Sequence, residues 1–409
     1  MQMKANRSSK NGLILGVGVN VLVLGIVSLF ADMSTEMIYP LIPLFLVNVL
    51  GATFIDVGLI EGVAESTASI LKIVSGYLSD RFGKRKPLVY SGYGIAAIAK
   101  PLLAFATAWQ QVLAIRFADR LGKGIRDSAR DAIVSESRSL GVGRSFGFQR
   151  SLDTLGAVIG PLIAAALFGI LSYRGLFLLA FIPGIFATLL VVFFVKETAV
   201  GSQRNRLYKV SFKSFDTNFR VLLVGLGLFF IGNSSDAFLF LRAQNLGVPA
   251  LLVPILYFAM NVIYAGSSFP FGIISDKIGR KTVLLLGFGI FFFVYLGFAF
   301  ATSALLIWIL FPIYGLYYGL TDGVSKALVS DISPQHLKAT AFGTYYFVIG
   351  VVAFPASLIA GTLWQTVGPT FAFLYGAVMA LIAVAIIGVF VKGDQRTKNG
   401  SSSAPQQSA

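Results

Sequence analysis

The chain has 409 residues, 56% of them hydrophobic and only 12% charged, with a mean hydropathy of +0.80. Soluble domains carry about a quarter of their residues as charges, so this composition excludes one and leaves room for about a dozen membrane spans of roughly 20 residues. With no cysteine and one histidine, His336, disulfides, thiolate metal sites and His-rich centres are excluded, and the net charge of +15 lies in loops flanking apolar runs rather than on a nucleic-acid-binding face.

The N-terminal tail, MQMKANRSSKN, is polar and basic. The first apolar segment runs from about Leu15 to Leu50, interrupted by Asp32, Glu36, Pro40 and Pro43, so a kinked or tilted span is expected. It is too long for the apolar core of a cleaved leader, and no cleavage is expected. Span two, about Val57 to Ser79, places Glu61, Glu65 and Lys72 on one face and leads into the basic loop DRFGKRKP. Span three covers about Leu88 to Ala108 and holds Lys100 and Pro101 near its middle.

Span four runs from near Gln110 to Asp131 and is dense in charge. Arg116, Arg120, Lys123, Asp127 and Arg130 recur every three or four residues, so a helix gathers them in one stripe. The opposite side carries Phe117, Leu121, Ile125 and Ala129. Inside a membrane such a stripe must face protein or water, never lipid. Span five, about Phe146 to Leu171, holds Arg150 and Asp153, and span six covers about Gly175 to Val195. Residues 1–195 are therefore read as an N-terminal six-helix bundle, and the basic stretch 196–220 as a cytoplasmic linker. Six more spans, at about 221–243, 250–274, 282–301, 304–326, 340–363 and 371–391, form a C-terminal bundle over 221–392. The tail, 393–409, is Ser/Gln-rich and expected to be disordered.

Charge sets the orientation. Outside the spans, only Arg174 and Arg242 fall in outer loops, and the other lysines and arginines share one side with both termini, which places both ends in the cytoplasm. The halves also repeat. GYLSDRFGKRK at Gly76–Lys86 matches FGIISDKIGRK at Phe271–Lys281, and DSARDAIVSE at Asp127–Glu136 matches DGVSKALVSD at Asp322–Asp331. The offsets are 196 and 195 residues, as in a parallel duplication about an axis along the membrane normal.

Four pieces then carry a family resemblance. The loop after span two reads G-x-x-x-D-R-x-G-K-R at Gly76, Asp80, Arg81, Gly83, Lys84 and Arg85, with a second copy at Gly272, Asp276, Lys277, Gly279, Arg280 and Lys281. Span five holds Gly147, Gly156, Gly160 and Pro161 at G-x8-G-x3-G-P spacing, followed by Ala164 and Ala165. Span one places Glu36 before Pro40 and Pro43, and span four holds Arg120-x-x-Lys123-Gly124. In these motifs the chain resembles a major facilitator superfamily transporter over its whole length, closest to drug/proton antiporter-like bacterial members. The resemblance implies an all-α integral membrane protein with 12 transmembrane helices in two pseudo-symmetric six-helix bundles, spans one, four, seven and ten lining its cavity. It resembles the antiporter motif at Gly147, Gly156, Gly160 and Pro161, although two alanines stand where the family usually has a glycine pair. Lys123 replaces the Gln of the span-four motif.

The site expectations follow. Proton coupling is assigned to Asp32, Glu36 and Arg120, with a lasting Glu36–Arg120 ion pair as the structural alternative. Substrate contacts are assigned to Glu61, Lys100, Arg116, Lys123, Asn233, Asp236, Asp322 and Lys326, with Tyr314, Tyr317 and Tyr318 nearby. Gating is assigned to Asp80, Arg81, Asp127, Arg130, Asp276 and Lys277. The expected activity is proton-coupled efflux of a small solute by antiport at a bacterial-type inner membrane, by a monomer without cofactor or metal and without nucleic-acid partners. The rivals are an uptake symporter of an organic or inorganic anion, favoured by the basic residues of span four and Lys100, and an exporter of a metal cation bound by hard ligands. A membrane enzyme is disfavoured because no nucleophile motif, metal-ligand spacing or phosphate loop is present, and a scaffold because it has no use for midplane charges.

Overall fold

In hydrocarbon every backbone polar group must be satisfied internally, so runs of this apolarity fold as helices. The structure, a computed structural model, describes residues 13–14, 17–82, 84–137, 142–197, 215–334 and 337–392. A short antiparallel ladder, Leu13–Ile14 against Val17–Gly18, precedes the first helix. The helices are α1 (Val19–Glu36), α2 (Ile42–Asn48), α3 (Phe54–Phe82), α4 (Lys86–Leu102), α5 (Trp109–Glu136), α6 (Val142–Leu179) and α7 (Phe181–Phe194), then α8 (Thr217–Gly232), α9 (Ala237–Asn245), α10 (Val253–Ile278), α11 (Arg280–Phe300), α12 (Ala304–Ile332), α13 (Lys338–Val367) and α14 (Pro369–Phe390). Among the described residues, nine helical stretches are long and apolar enough to cross a membrane. One of them, Arg144–Phe194, contains both expected spans five and six and turns at Ser172, whose φ is 55°. Arg174 in that turn donates to the carbonyls of Ala104 at 2.9 Å and Ala106 at 3.2 Å, beyond the end of α4. Helices α3 and α5 have the length, 29 and 28 residues, but their polar residues keep them out of that set.

Two expected spans are broken helices. After α1 the chain makes a 3₁₀ turn at Tyr39–Leu41 before α2, because Pro40 and Pro43 supply no N–H to continue the ladder. Expected span seven stops at Gly232 and restarts at Ala237, with Asn233, Ser234, Ser235 and Asp236 between. At an offset of 198 residues Glu36 corresponds to Ser234, so the breaks match in the repeat although prolines make one and polar residues the other. At membrane depth such backbone is tolerated only where protein or water covers it.

By contact the chain divides into two units, Met1–Leu207 with Ser235–Phe258, and Tyr208–Ser234 with Ala259–Ala409. In the first, α1 packs on α6 and α7, while α5 packs on both α3 and α4. Val21, Leu24 and Val27 of α1 meet Val89 and Tyr93 of α4, Ile133 of α5 and Val191 of α7 in one core. In the second, α8 packs on α13 and α14, and α11 on α12 and α14. Its core is aromatic. Phe229 stacks on Phe288 with centroids 3.6 Å apart, and Phe291 lies against Tyr295 at 3.9 Å and Tyr317 at 5.0 Å.

The repeat extends to contacts that the motifs do not contain. Arg85 pairs with Glu136, and 195 residues later Arg280 pairs with Asp331 at 2.8 Å. A Cβ on Gly124 would meet Leu71 of α3, and one on Gly319 would meet Ser267 of α10, the matching position. Each half is also closed by an asparagine clamp. The Asn20 amide donates to the Lys196 carbonyl at 2.9 Å and accepts from its N–H at 2.9 Å, and Asn218 does the same with Lys392 at 3.2 and 2.7 Å. Both clamps tie the start of a half's first helix to the residue region after its last. Asn20→Ala and Asn218→Ala are each expected to cost about 1–2 kcal/mol, two exposed hydrogen bonds apiece, and to add in the double variant. Chemical denaturation in detergent measures this, and an effect at only one position would show that the clamps are not equivalent.

Candidate functional site

Helices α3 and α5 run side by side in one register. Glu61 pairs with Arg116 at 2.9 Å, Glu65 with Arg120 at 3.3 Å and Lys72 with Asp127 at 3.1 Å. Every pair is 55 residues apart, which requires parallel helices without slippage. Two hydroxyls strap the same interface, Ser75 to the Gly124 carbonyl at 2.8 Å and Ser128 to the Lys72 carbonyl at 2.7 Å. The acidic and basic face of span two is thus the counter-charge to the stripe of span four.

The three rungs differ in access to water. Arg116 Nη2 reaches both Glu61 oxygens, at 2.9 and 3.0 Å, with side chains 3% and 1% exposed. Ser235 donates to the same carboxylate at 3.3 Å, and Asp119 lies 3.6 Å from Arg116. The Arg120 side chain is 4% exposed but its partner Glu65 is 42% exposed. Among the described residues Arg120 makes no hydrogen bond, and its Nε is buried without a partner. Lys123, one turn further and half-buried, has neither hydrogen bond nor ion pair among the described residues.

The α1 carboxyls stand near these cations. Glu36 accepts a 2.6 Å hydrogen bond from the Tyr257 hydroxyl and interacts electrostatically with Lys123 and Arg120, and Asp32 lies within electrostatic reach of Asp153 of α6. The structural alternative, a lasting Glu36–Arg120 ion pair, is not formed. Arg120 pairs with Glu65 instead, because the register of α5 on α3 aims it there. Lys100, buried on α4, donates to Ser34 at 2.8 Å, and Ser34 donates to the Ala180 carbonyl at 2.6 Å. With Thr35, Arg116 and Asp119, and among mostly apolar side chains, it lines a small cavity with room for about one water. Helix α6 approaches α1 through two glycines of the antiporter-like motif. A Cβ on Gly156 would lie 2.3 Å from the Leu29 oxygen and one on Gly160 2.7 Å from the Met33 oxygen, whereas Gly147 has open space; Pro161 follows inside α6.

The remaining candidates sit elsewhere. Asn233 donates to the Tyr317 hydroxyl at 3.0 Å and accepts from Tyr314 at 3.4 Å, and both tyrosines are buried in the aromatic core rather than turned out to stack on a ligand. Asp322 accepts from Lys326 at 2.7 Å and from Tyr264 at 3.0 Å. Asp236 precedes α9 and is half-buried. Among the gating candidates, Asp127 is held by Lys72, with Arg126 at 3.5 Å, and Arg130 by Asp131 at 2.9 Å. Asp276 lies 3.4 Å from Arg280, and Lys277 is exposed in the last turn of α10. The side chains of Asp80 and Arg81, and all of His336, lie outside the described residues. Sequence reasoning missed Tyr257 and Ser34, which carry no charge and no motif. Glu65 was visible on the acidic face but not as the partner of Arg120.

The model of the Major Facilitator Superfamily family matches residues 24–357 and 223–409. An uncharacterized MFS-type transporter of Methanocaldococcus jannaschii is 40% identical over 372 residues, covering 89% of this chain and 93% of that one. The multi-drug resistance efflux pump PmrA of Streptococcus pneumoniae is 26% identical over 349 residues, covering 80% and 86%. Among solved structures, a variant of the nucleoside transporter NupG superposes with a TM-score of 0.79 at 12% identity, over 90% of this chain and 99% of that one, a likeness of fold alone. Buried ion pairs in apolar helices, a twofold internal repeat and these matches lead to one conclusion: the chain belongs to the Major Facilitator Superfamily and is a multi-pass membrane transporter, not an enzyme.

Proposed function

We propose that the chain is a proton-coupled secondary transporter that carries a small anionic solute together with a proton. The observation that carries this reading is the pair of cations on α5. Arg120 makes no hydrogen bond among the described residues and Lys123 has neither hydrogen bond nor ion pair there, while Asp32 and Glu36 of α1 lie within electrostatic reach. Buried donors that make no hydrogen bond are costly, and a carboxylate or phosphate satisfies them. A proton on α1 and an anion on α5 each remove the charge that opposes the other, so they reinforce one another's binding, and the reinforcement is reciprocal. The setting is a bacterial-type inner membrane, with 12 spans in two six-helix halves over 1–195 and 221–392. Both termini are cytoplasmic, alternating access moves the solute, and the protein works as a monomer.

Proton-coupled efflux by antiport is the second reading. Gly156 and Gly160 of the antiporter-like motif close on α1 beside Asp32 and Glu36, and one relative is named a multidrug efflux pump. A cationic solute competes with the proton for those carboxyls, which yields antiport. The two readings predict opposite signs. In proteoliposomes with a trapped pH dye, an anion that stabilises the purified protein is expected to move protons in its own direction. Proton movement against the solute supports antiport. Glu36→Gln is expected to retain exchange of labelled solute down its gradient while losing accumulation driven by a pH gradient.

A further inference from the structure

We infer that Glu65 is an internal stand-in for the substrate's anionic group, seated on Arg120 and displaced from it when a carboxylate or phosphate binds. The inference rests on the anion reading above and goes beyond it by naming the residue that sets affinity.

The comparison is between rungs of one ladder. Glu61 and Arg116 are sealed on both sides and joined through both carboxylate oxygens. Arg120 is equally buried, yet its nearest approach to Glu65 is 3.3 Å with no hydrogen bond between them, while 42% of the Glu65 side chain is exposed. Good guanidinium–carboxylate hydrogen bonds are shorter, about 2.7–2.9 Å, and use two parallel N–H groups. Glu65 therefore neutralises Arg120 without satisfying it. A free carboxylate or phosphate can meet the planar fork with two bonds and reach Lys123, one turn away on the same stripe. Glu65 gives up one long contact and no hydrogen bond by leaving, and its side chain is already 42% exposed to water.

A tethered competitor has two consequences. It weakens ligand binding, because the ligand must displace it. It also aids release, because Glu65 returns to Arg120 as the ligand leaves. Removing its charge is thus expected to tighten binding and slow turnover together.

The test uses the full-length protein in detergent, titrated with benzoate, citrate and inorganic phosphate, with benzamide and benzyltrimethylammonium as neutral and cationic controls. At least one anion is expected to raise the melting temperature of the wild type, and neither control to do so. Glu65→Gln is expected to bind that anion about tenfold more tightly, and Arg120→Ala to lose the response. Glu65→Asp, a methylene too short to reach Arg120, is expected to tighten binding severalfold and serves the same comparison should the Gln variant not fold. Unchanged or weaker anion affinity in these variants overturns the inference, as does stabilisation by the cation alone or by no anion in any variant. Binding in detergent needs no gradient. If Glu65→Gln leaves affinity unaltered while liposomes still move anion and proton together, the role of Glu65 falls and the transport reading stands. If affinity tightens but protons move against the anion, the coupling reading falls and the role of Glu65 stands.

Discussion

Arg116→Ala is expected to destabilise the protein by about 3–5 kcal/mol, the cost of leaving one member of a buried ion pair uncompensated. The pair is shielded from bulk solvent, with side chains 3% and 1% exposed. Without Arg116, Glu61 keeps, among the described residues, only the 3.3 Å hydrogen bond from Ser235. Glu61→Ala is expected to cost less, because Arg116 retains Asp119 at 3.6 Å. Replacing both, as Glu61→Leu with Arg116→Met, removes the stranded charge and is expected to recover most of the loss. A double-mutant cycle by chemical denaturation in detergent measures the coupling. A cost below about 1 kcal/mol for Arg116→Ala would mean that water reaches the pair as it reaches an exposed one. Glu65→Gln, on the more open rung, breaks a longer contact whose acidic partner reaches water and is expected to cost less than Arg116→Ala.

This contrast also shows what could be read from the chain and what could not. The stripe on α5 follows from helical periodicity, and Glu61, Glu65 and Lys72 fall on one face of α3 for the same reason. Which face meets which is a matter of register. It depends on Gly124, where α5 comes so close that a Cβ would lie 2.5 Å from that of Leu71, and no local pattern marks that contact. Hence Arg120 could be matched with Glu36 by charge and depth, while the structure pairs it with Glu65. The break at Pro40 and Pro43 was legible because proline acts through its own backbone. The break at Asn233–Asp236 was not, because four polar residues in an apolar run equally fit a continuous helix with a wet face. The asparagine clamps lie outside both repeat motifs, but extending the repeat by 198 residues aligns Asn20 with Asn218 and would have exposed them.

Gly156→Leu is expected to be the most damaging single change in α6, and Gly160→Leu nearly as severe. A Cβ at position 156 would sit 2.3 Å from the Leu29 carbonyl oxygen and 3.1 Å from the Asp32 Cβ, and at 160 it would sit 2.7 Å from the Met33 oxygen and 2.8 Å from the Met37 nitrogen. The closest of these are backbone atoms, not flexible side-chain ends, so the helices themselves must separate. Overpacking of this kind costs about 1–3 kcal/mol or more. The displacement falls on the segment of α1 that carries Asp32 and Glu36, and it would part Asp32 from Asp153, three residues before Gly156. Groups aligned for a reaction or transfer lose about a hundredfold in rate for a misplacement of about 1 Å, so gradient-driven transport is expected to fall by about that factor while surface expression drops less. Gly147 belongs to the same motif but has nothing within 4 Å of its position, so Gly147→Leu is expected to stay within about 0.5 kcal/mol of wild type. Thermal stability and transport measured together on the three variants separate two explanations of the motif. If all three fail alike, the glycines act through helix flexibility. If only positions 156 and 160 fail, they act by letting α6 lie directly on the acidic stretch of α1.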